Sequence, residues 1–584
     1  MKGRAAERCD RLPRVGRARG LLLTNLGVPL AALTLLASAS PSRATTISQG
    51  GCRLRVLGGH GGTTLGTPLR RVMVCSQGGS QIQQGTLIRL ADGDVQGELA
   101  GGTRRFLGIP FAAPPLGDLR WRPPAPVVPW QGVLDANAYA SPCPQGTSIN
   151  GTPSTNEDCL YLNVWSPDPA PTGRRPVMVW FHGGGNQSGS AADFVPLGVG
   201  GRFYDGSVLA DTRDVVVVTA NYRLGVLGFF AHPVLATEDP AYPYAGNQGL
   251  LDQRAALEWV RANISAFGGD PDNVTIFGES AGSFDVCFQV VSPGSRGLFE
   301  RAISESGGCT TRQPLASDGA ASAASLADAV GCGSASDQLA CLRQVSVPAL
   351  LTQAVAPEGI APAAFNPVID GGFLPDQPRA LFDAGNYAKV PYILGSNSDE
   401  GTLFLIGTTP VTSEAEYLAA LQSQYGDLAD QIAAVYPVAN FSSPQAALAR
   451  VIGDSGLVCP TYDSARRAAA GGAPVYLYNF ARPIPLPQLA PLMLGATHGS
   501  EIAYVFGSVP GVSEADQQLS VAVQGYWTQL ARIGNPNGNG QVNWPRYQDA
   551  TDQRINLDVE ISVLTGFRRT ECEFWWGVFD SQFN

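Results

Sequence analysis

The chain has 584 residues, of which 44% are hydrophobic and 15% are charged. This composition suffices for a large buried core, and the length permits either one large α/β domain or several smaller domains. The formal net charge of −10 comes from 39 Lys and Arg against 49 Asp and Glu. Because no basic stretch after the N-terminal segment offsets this charge, the composition disfavours nucleic acid and anionic lipid as partners.

Residues 1–39 have the pattern of a signal peptide. Arginines at positions 4, 14, 17 and 19 precede an apolar run over 21–36, and Ala37-Ser38-Ala39 offers the small-x-small site of a signal peptidase. A membrane anchor is the alternative, but polar residues and a proline interrupt a run that is already short for a spanning helix. We therefore expect cleavage, with 42–44 as a second candidate site. The expected mature protein is secreted or periplasmic and has no membrane span.

Residues 40–85 are rich in Gly, Ser and Thr, and we expect a poorly ordered leader there. The folded domain is expected over 86–584. Its first predicted strands are short and lie at 86–89 and 104–108.

The elements that follow predict an α/β fold. The runs 177–181 and 215–219 are continuously apolar, as expected of parallel strands covered on both faces. Residues 249–263 carry apolar side chains at helical spacing, and another apolar run follows at 274–277. This order predicts a large, mostly parallel central sheet with helices on both faces.

A serine follows the last of these strands at a sharp turn. The sequence TIFGESAGS (275–283) places Ser280 between Gly278 and Gly282, and helix-compatible spacing resumes at 285–291. Glycines on both sides let strand and helix approach closely while the serine hydroxyl projects from the turn. An ordinary glycine-rich turn is the alternative. The surrounding strand and helix favour Ser280 as a catalytic nucleophile.

A glycine loop, HGGG (182–185), directly follows the strand predicted at 177–181. Consecutive glycines leave backbone N–H groups unshielded, and two such donors aimed at one point can hold a developing oxyanion. A flexible turn is the alternative. The position directly after an apolar strand favours an oxyanion hole, with the N–H of Ala281 as a further donor.

A serine nucleophile requires a base, and the chain has four histidines. His60 lies in the leader, His182 belongs to the glycine loop and His232 precedes Ser280. His498 follows the serine in a loop-like stretch, where this fold places its base. Elimination and chain order therefore favour His498 over the alternative of a polar loop residue.

The acid that orients the base should lie between Ser280 and His498. A strand is predicted at 390–395, and the loop 396–401 follows it at the carboxyl end, where open α/β sheets collect catalytic groups. This loop contains Asp399 and Glu400. Position alone does not choose between them, and either could be a solvated turn carboxylate.

Together with further stretches, these motifs resemble the type-B carboxylesterase family, which includes cholinesterases, fungal lipases and bacterial carboxylesterases. The resemblance spans about 86–576. Its motifs are FLGIPFAAPP (106–115), EDCLYLNV (157–164), HGGG (182–185), NYRLG (221–225), GESAG (278–282), DEG (399–401) and THG (497–499). It implies the α/β-hydrolase fold and hydrolysis of carboxylic esters.

The resemblance also implies residue roles. The acid is Glu400 rather than Asp399, and the loop donors are Gly184 and Gly185. Glu279 beside the nucleophile matches the family and is a candidate for substrate contact. Ser306 resembles a serine that supports the acid. The mechanism requires no cofactor or metal, and four scattered histidines disfavour a zinc site.

Eleven cysteines in an exported chain suggest disulfides. The resemblance implies three pairs: Cys143 with Cys159, Cys332 with Cys341, and Cys459 with Cys572. A fourth pair, Cys52 with Cys75, is predicted in addition. Cys287 is expected to be a buried free thiol, and Cys309 has no evident partner.

Departures from the family bear on the substrate. The stretch 148–156 has no tryptophan, and Leu403 replaces an aromatic residue after the acid. Cholinesterases bind the quaternary ammonium of choline on such aromatic rings, so the sequence disfavours choline esters as substrates. The loop between Cys143 and Cys159 is too short for the apolar lid of fungal lipases, so a triglyceride lipase is disfavoured. Intact catalytic residues disfavour a relative that only binds partners.

The expected acyl pocket is wide. Ala361 and Ala363 stand where cholinesterases carry aromatic rings, and Leu403 and Phe404 are further candidates for substrate contact. We therefore expect small-molecule esters with acyl groups bulkier than acetate. The apolar insertion 191–202 is either part of the pocket mouth or a tolerated surface loop.

Overall fold

The computed structural model describes residues 52–56, 71–75, 85–148, 151–170, 173–192, 203–354, 365–483, 494–509, 513–538 and 540–583. The predicted signal peptide, most of the leader, Ala361, Ala363 and most of 191–202 lie outside these residues.

In the described part, strands predominate up to residue 181, and helices and strands are interspersed after it. The strands are β1 (Cys52–Val56), β2 (Arg71–Cys75), β3 (Leu87–Leu90), β4 (Gly93–Gln96), β5 (Glu98–Ala100), β6 (Thr103–Pro110), β7 (Val133–Asp135), β8 (Tyr161–Pro167), β9 (Arg175–Phe181), β10 (Val216–Ala220), β11 (Gly269–Glu279), β12 (Arg301–Glu305), β13 (Tyr392–Asn397), β14 (Val475–Phe480), β15 (Gln553–Leu557) and β16 (Ser562–Thr565). The α-helices are α1 (Ser207–Arg213), α2 (Gly225–Gly228), α3 (Gln248–Asn263), α4 (Ala281–Val291), α5 (Ala316–Ala329), α6 (Gln338–Gln344), α7 (Val347–Gln353), α8 (Pro378–Asp383), α9 (Glu414–Tyr425), α10 (Ala429–Val435), α11 (Pro444–Gly453), α12 (Cys459–Ala470), α13 (Ile502–Phe506), α14 (Glu514–Ile533) and α15 (Arg569–Ser581). A 3₁₀ helix, Glu400–Leu405, follows β13.

The central sheet has 11 strands in the order β16-β15-β14-β13-β12-β11-β9-β10-β8-β6-β5. The strands from β10 through β15 in this order run parallel, and antiparallel pairs lie at the two ends. A smaller sheet joins β3, β4 and β7. The large, mostly parallel sheet predicted from the sequence is confirmed.

Strand β9 shows why the central strands are continuously apolar. Val177, Val179 and Phe181 belong to one hydrophobic core, and Met178 and Trp180 belong to another. Because neighbouring side chains of a strand point to opposite faces, each face of the sheet carries its own core. Helices cover both cores, so an alternating polar pattern would place polar groups in a buried layer.

The parallel strands bring the candidate residues to one edge of the sheet. β9 ends at Phe181, directly before the glycine loop, and β11 ends at Glu279, directly before Ser280. β13 ends at Asn397, three residues before Glu400, and the connection between β14 and α13 carries His498.

Disulfides cross-link this fold, with sequence separations from 9 to 113 residues. The three pairs implied by the family resemblance are confirmed: Cys143–Cys159, Cys332–Cys341 and Cys459–Cys572. In β1 and β2, Cys52 lies opposite Cys75 in an antiparallel ladder. Their side chains lie outside the described part, so that disulfide stays a prediction.

Cys287 and Cys309 form a further disulfide, with Cα atoms 5.8 Å apart. The expectation of a free thiol at Cys287 was therefore wrong, and Cys309, for which the sequence indicated no partner, is paired with it. Cys287 lies on α4, and β12, a strand not predicted from the sequence, returns the chain so that Cys309 lies beside that helix. The backbone N–H of Cys309 also donates a hydrogen bond to Cys287 Sγ at 3.3 Å.

Candidate active site

Ser280 occupies the turn between β11 and α4. Its backbone has φ of 56°, in the left-handed region that non-glycine residues rarely adopt. The Ser280 N–H donates to Glu305 O at 2.9 Å, which ties the turn to β12. A Cβ atom at Gly278 would lie 2.6 Å from Gly282 O, and one at Gly282 would collide with Phe181 O. Strand and helix therefore approach closely only because both positions are glycine.

The glycine loop packs directly against this turn. A Cβ atom at Gly183 would lie 3.0 Å from Ser280 Cβ, and Gly184 and Gly185 have φ values of 107° and 66°. Ala281 is the first residue of α4, so its N–H has no partner within the helix. The structure thus brings together the two segments that carry the predicted oxyanion donors.

His498 contacts Glu400 in the buried part of this edge. The Nδ1 atom of His498 lies 2.7 Å from Oε2 of Glu400, and the Asn397 N–H donates to Oε1 of Glu400, also at 2.7 Å. Asp399 instead accepts a hydrogen bond from the N–H of Ala496 at 3.1 Å. Sequence position did not choose between Asp399 and Glu400. In the structure, only Glu400 of these two acids contacts the imidazole of His498.

The other ring nitrogen of His498 faces Glu279. Nε2 lies 3.2 Å from Oε1 of Glu279, and this buried nitrogen has no hydrogen-bond partner among the described residues. Burial opposes protonation of the imidazole, but the carboxylates of Glu279 and Glu400 outweigh it and raise the pKa of His498 to about 9. Burial also raises the pKa of Glu279, against the attraction of His498.

Two further buried carboxyl groups were not predicted from the sequence. Glu305 Oε1 accepts from Trp527 Nε1 at 2.7 Å, and Glu501 Oε2 accepts from Asn397 Nδ2 at 2.6 Å. Burial raises the pKa of Glu305 well above its usual range and that of Glu501 to about 7. Both acids lie close to residues that the sequence analysis had already assigned other roles. Glu305 directly precedes Ser306, and Glu501 follows His498 by three residues.

Ser306 differs from the expectation drawn from the resemblance. Its hydroxyl donates to Oε1 of Glu501 at 3.1 Å, and no described hydrogen bond joins it to Glu400. Ser306 therefore contacts the neighbouring buried acid rather than the acid that faces His498.

The other described histidines occupy structural positions. His182 stacks on Tyr222 with ring centroids 4.4 Å apart, and its Nδ1 lies 2.9 Å from Gly183 O. Burial lowers the pKa of His182 to about 4. His232 Nε2 lies 3.1 Å from Gln338 Oε1. These contacts support the elimination that favoured His498.

Phe404, another candidate for substrate contact, lies beside His498. Its ring centroid is 5.2 Å from that of the imidazole, and the side chain is partly exposed. Leu403 is buried in the same 3₁₀ helix. Within the described ranges, no group of three or more His, Cys, Asp and Glu side chains is placed to hold a metal ion.

The model of the Carboxylesterase family matches residues 84–575 of this chain. The chain belongs to the carboxylesterase family. This carboxylesterase is 37% identical to acetylcholinesterase of Bungarus fasciatus over 528 residues, which cover 82% of the chain and 83% of that relative. It is 38% identical to para-nitrobenzyl esterase of Bacillus subtilis (strain 168) over 490 residues, with coverages of 81% and 94%. It is also 38% identical to fumonisin B1 esterase of Sphingopyxis macrogoltabida over 476 residues, with coverages of 78% and 83%.

The family resemblance expected from the motifs is thereby confirmed over most of the chain. The protein is a carboxylic ester hydrolase with the α/β-hydrolase fold, and its substrates are small-molecule esters.

Proposed function

We propose that this carboxylesterase works through an acyl-enzyme, with Ser280 as nucleophile, His498 as general base and Glu400 as the orienting acid. The observation that carries the proposal is the 2.7 Å contact between His498 Nδ1 and Glu400, made at the edge of the sheet where Ser280 follows β11. A carboxylate at Nδ1 holds the imidazole in one orientation and leaves Nε2 to accept a proton.

In the first step, Ser280 Oγ attacks the ester carbonyl carbon while its proton passes to Nε2 of His498. The N–H groups of Gly184, Gly185 and Ala281 hold the negative charge on the former carbonyl oxygen. Collapse of this intermediate breaks the carbon–oxygen bond, and the alcohol leaves with the proton from His498. Water then attacks the acyl group by the same route and releases the acid and Ser280.

The resting geometry requires one rearrangement. Nε2 lies 3.2 Å from Glu279 Oε1. We infer that Nε2 turns from Glu279 to Ser280 Oγ when an ester binds, since catalytic hydrogen bonds are often loose before substrate arrives. Glu279 then lies beside the ring without a direct hydrogen bond, and its charge stabilises the imidazolium through space.

We further propose a preference for acyl groups bulkier than acetate. The support is the pair of alanines, Ala361 and Ala363, in the segment that resembles the narrow acyl pocket of cholinesterases. The partly exposed Phe404 beside His498 offers an apolar wall for such a group. The relatives are named for different esters, so their names do not choose among acyl groups.

We also infer export to a secreted or periplasmic location. The support is the N-terminal pattern of residues 1–39 together with four disulfides, which form and persist in oxidising compartments. Across the described residues, no helix is long and apolar enough to cross a membrane. N-terminal sequencing of the exported protein should find a start after Ala39 or Ala44. An intact Met1 on the exported protein would contradict cleavage.

Covalent labelling tests the proposed mechanism. A serine-directed organophosphonate should inactivate the purified protein, and peptide mapping should place one adduct on Ser280. Preincubation with a slowly hydrolysed ester should protect that serine. Turnover that survives complete labelling of Ser280, or inactivation with the adduct elsewhere, would overturn the assignment. A protein that binds esters without labelling or turnover would be a binding relative rather than an enzyme.

A further inference from the structure

Asp285 is a buried carboxylate that has no cationic partner among the described residues. Its side chain is fully buried on α4, and it accepts hydrogen bonds from Asn186 Nδ2 at 3.1 Å and Gln253 Nε2 at 2.6 Å. Burial raises the pKa of Asp285 to about 7, while the hydrogen bonds from Asn186 and Gln253 act in the opposite direction. Burying an acid without a cationic partner lowers the stability of the fold. The retention of Asp285 at this position therefore points to a functional role.

The carboxylate joins the two segments that carry the oxyanion donors. Asp285 lies four residues after Ala281, so both project from the same face of α4. Asn186 directly follows Gly185 in the glycine loop and has a φ of 58°. Its Nδ2 donates only to Asp285 among the described residues, and its buried Oδ1 accepts no hydrogen bond there.

We propose that Asp285 and Asn186 are a positioning pair that sets the distance between the N–H groups of Gly184 and Gly185 and that of Ala281. This inference rests on the proposed function, because it takes these three N–H groups as the oxyanion hole. Neither side chain touches the ester. Their hydrogen bond keeps both segments in place as charge develops on the carbonyl oxygen, so no reorganisation is needed during the reaction.

The remaining contacts of Asp285 fix its orientation. Gln253 lies on α3, and its Oε1 accepts from Gln289 Nε2 at 3.2 Å. Gln289 Oε1 in turn accepts from Ser295 Oγ at 2.6 Å. Each oxygen of Asp285 thus has its own donor, and rotation of the carboxylate would break both hydrogen bonds.

The test compares Asn186→Ala, Asp285→Ala and the double variant with the unchanged protein. Loosening the loop should lower kcat about tenfold, less than the roughly 10²-fold loss when a whole oxyanion donor is removed. KM should stay within about twofold, because the pair makes no substrate contact. The double variant should lose no more kcat than Asp285→Ala, since both substitutions break the same hydrogen bond between Asn186 and Asp285.

The affinity for an alkyl trifluoromethyl ketone is a second measurement, which a general loss of stability would not change. The ketone adds to the nucleophilic serine and forms a tetrahedral oxyanion, so its affinity should fall by the same factor as kcat. Asn247→Ala is the matched control, because Asn247 is also buried, has a φ of 61° and donates from Nδ2 to Val368 O at 2.8 Å. It should lower the Tm comparably and leave ketone affinity within about twofold.

Exchanging the carboxylate and the amide between positions 285 and 253 should restore the activity that Asp285→Ala loses. In Asp285→Asn with Gln253→Glu, the new amide oxygen at 285 still accepts from Asn186. The new amide nitrogen donates to the carboxylate at 253, which still accepts from Gln289. Gln253→Glu alone places two carboxylates face to face and should lose stability. The swapped protein should recover kcat and ketone affinity to within about threefold.

Two results would overturn the proposal. One is that folded Asn186→Ala and Asp285→Ala proteins keep kcat and ketone affinity within twofold while Ser280→Ala is inactive. The other is a folded swapped protein that stays as slow as Asp285→Ala. If Asp285→Ala fails to fold, Asn186→Ala and the swapped protein decide the question. Full activity of Ser280→Ala would instead contradict the proposed function itself.

Discussion

His498 Nε2 lies 3.2 Å from Glu279 Oε1, on the side of the imidazole opposite to Glu400. The base is therefore held between two buried carboxyl groups. This arrangement favours the protonated ring and raises the pKa of His498 despite its burial. Since a general base must be neutral before it can accept the serine proton, Glu279 should set the lower pH limit of activity.

Glu279→Gln should shift the acidic limb of the kcat/KM profile to lower pH. Removing the carboxylate takes away an attraction that raises the pKa of His498, so the imidazole becomes neutral, and active as a base, at lower pH. The shift should be about one pH unit or more. The measurement is kcat/KM from pH 5 to 10 with an ester whose leaving group does not titrate.

Glu305→Gln is the matched control for that profile. Glu305 is also buried, and an amide at this position keeps the oxygen that accepts from Trp527. The groups that raise the pKa of His498 most are Glu279, Glu400 and Glu501. The acidic limb of the Glu305→Gln profile should lie within a few tenths of a pH unit of the acidic limb of the unchanged protein. Equal limbs in all three proteins would show that Glu279 does not control the base.

Glu400→Gln should lower kcat far more than Asp399→Asn. Glu400 contacts His498 Nδ1 directly at 2.7 Å, whereas Asp399 accepts from the backbone of Ala496. Loss of the acid of a triad costs roughly 10⁴-fold in kcat, because the imidazolium is no longer stabilised and the wrong tautomer forms. Asp399→Asn keeps an oxygen acceptor and should cost about tenfold or less. Steady-state kinetics on both variants decide the ranking, and the reverse order would assign the acid to Asp399.

Much of the fold could be predicted because the relevant signals are local. The continuous apolar run of β9 is predictable since each of its residues is buried on one face or the other. The turn at Ser280 is predictable because Gly278 and Gly282 are required by close contacts within a few residues.

The less predictable features depend on contacts between distant segments. Asp285 is buried because Asn186 and Gln253 reach it from a loop and from α3. Cys309 reaches Cys287 only because β12 returns the chain beside α4. The choice of Glu400 over Asp399 likewise needed the position of the imidazole, or the family resemblance. A pattern of neighbouring residues carries none of this information.

Removing the Cys459–Cys572 disulfide should destabilise the protein more than removing Cys332–Cys341. The two bridges close chain segments with sequence separations of 113 and 9 residues. Loop-closure entropy assigns them roughly 5 and roughly 3 kcal/mol, respectively. The measurement is the Tm of the two double Cys→Ala variants. A larger fall for the shorter loop would contradict the entropic ranking, and free thiols at Cys459 and Cys572 in the purified protein would contradict the pair.

Ala363→Phe should narrow the acyl preference. A phenyl ring at this position should fill the proposed pocket and exclude bulky acyl groups, while acetyl esters still fit. The ratio of kcat/KM for a bulky acyl ester to that for the acetyl ester of the same alcohol should fall by about tenfold or more. An unchanged ratio would show that Ala363 does not line the acyl site.

The nucleophile is tested most directly by comparing Ser280→Ala with Ser283→Ala on one activated ester. Ser283 is the third residue of α4, and its hydroxyl donates a hydrogen bond to Gly307 O at 2.8 Å. Ser283→Ala should lose some stability and keep kcat within about tenfold. Ser280→Ala should fold, keep its Tm within a few degrees and lose on the order of 10⁴-fold or more in kcat. A folded Ser280→Ala protein that retains most of its turnover would contradict the assignment of Ser280 as the nucleophile.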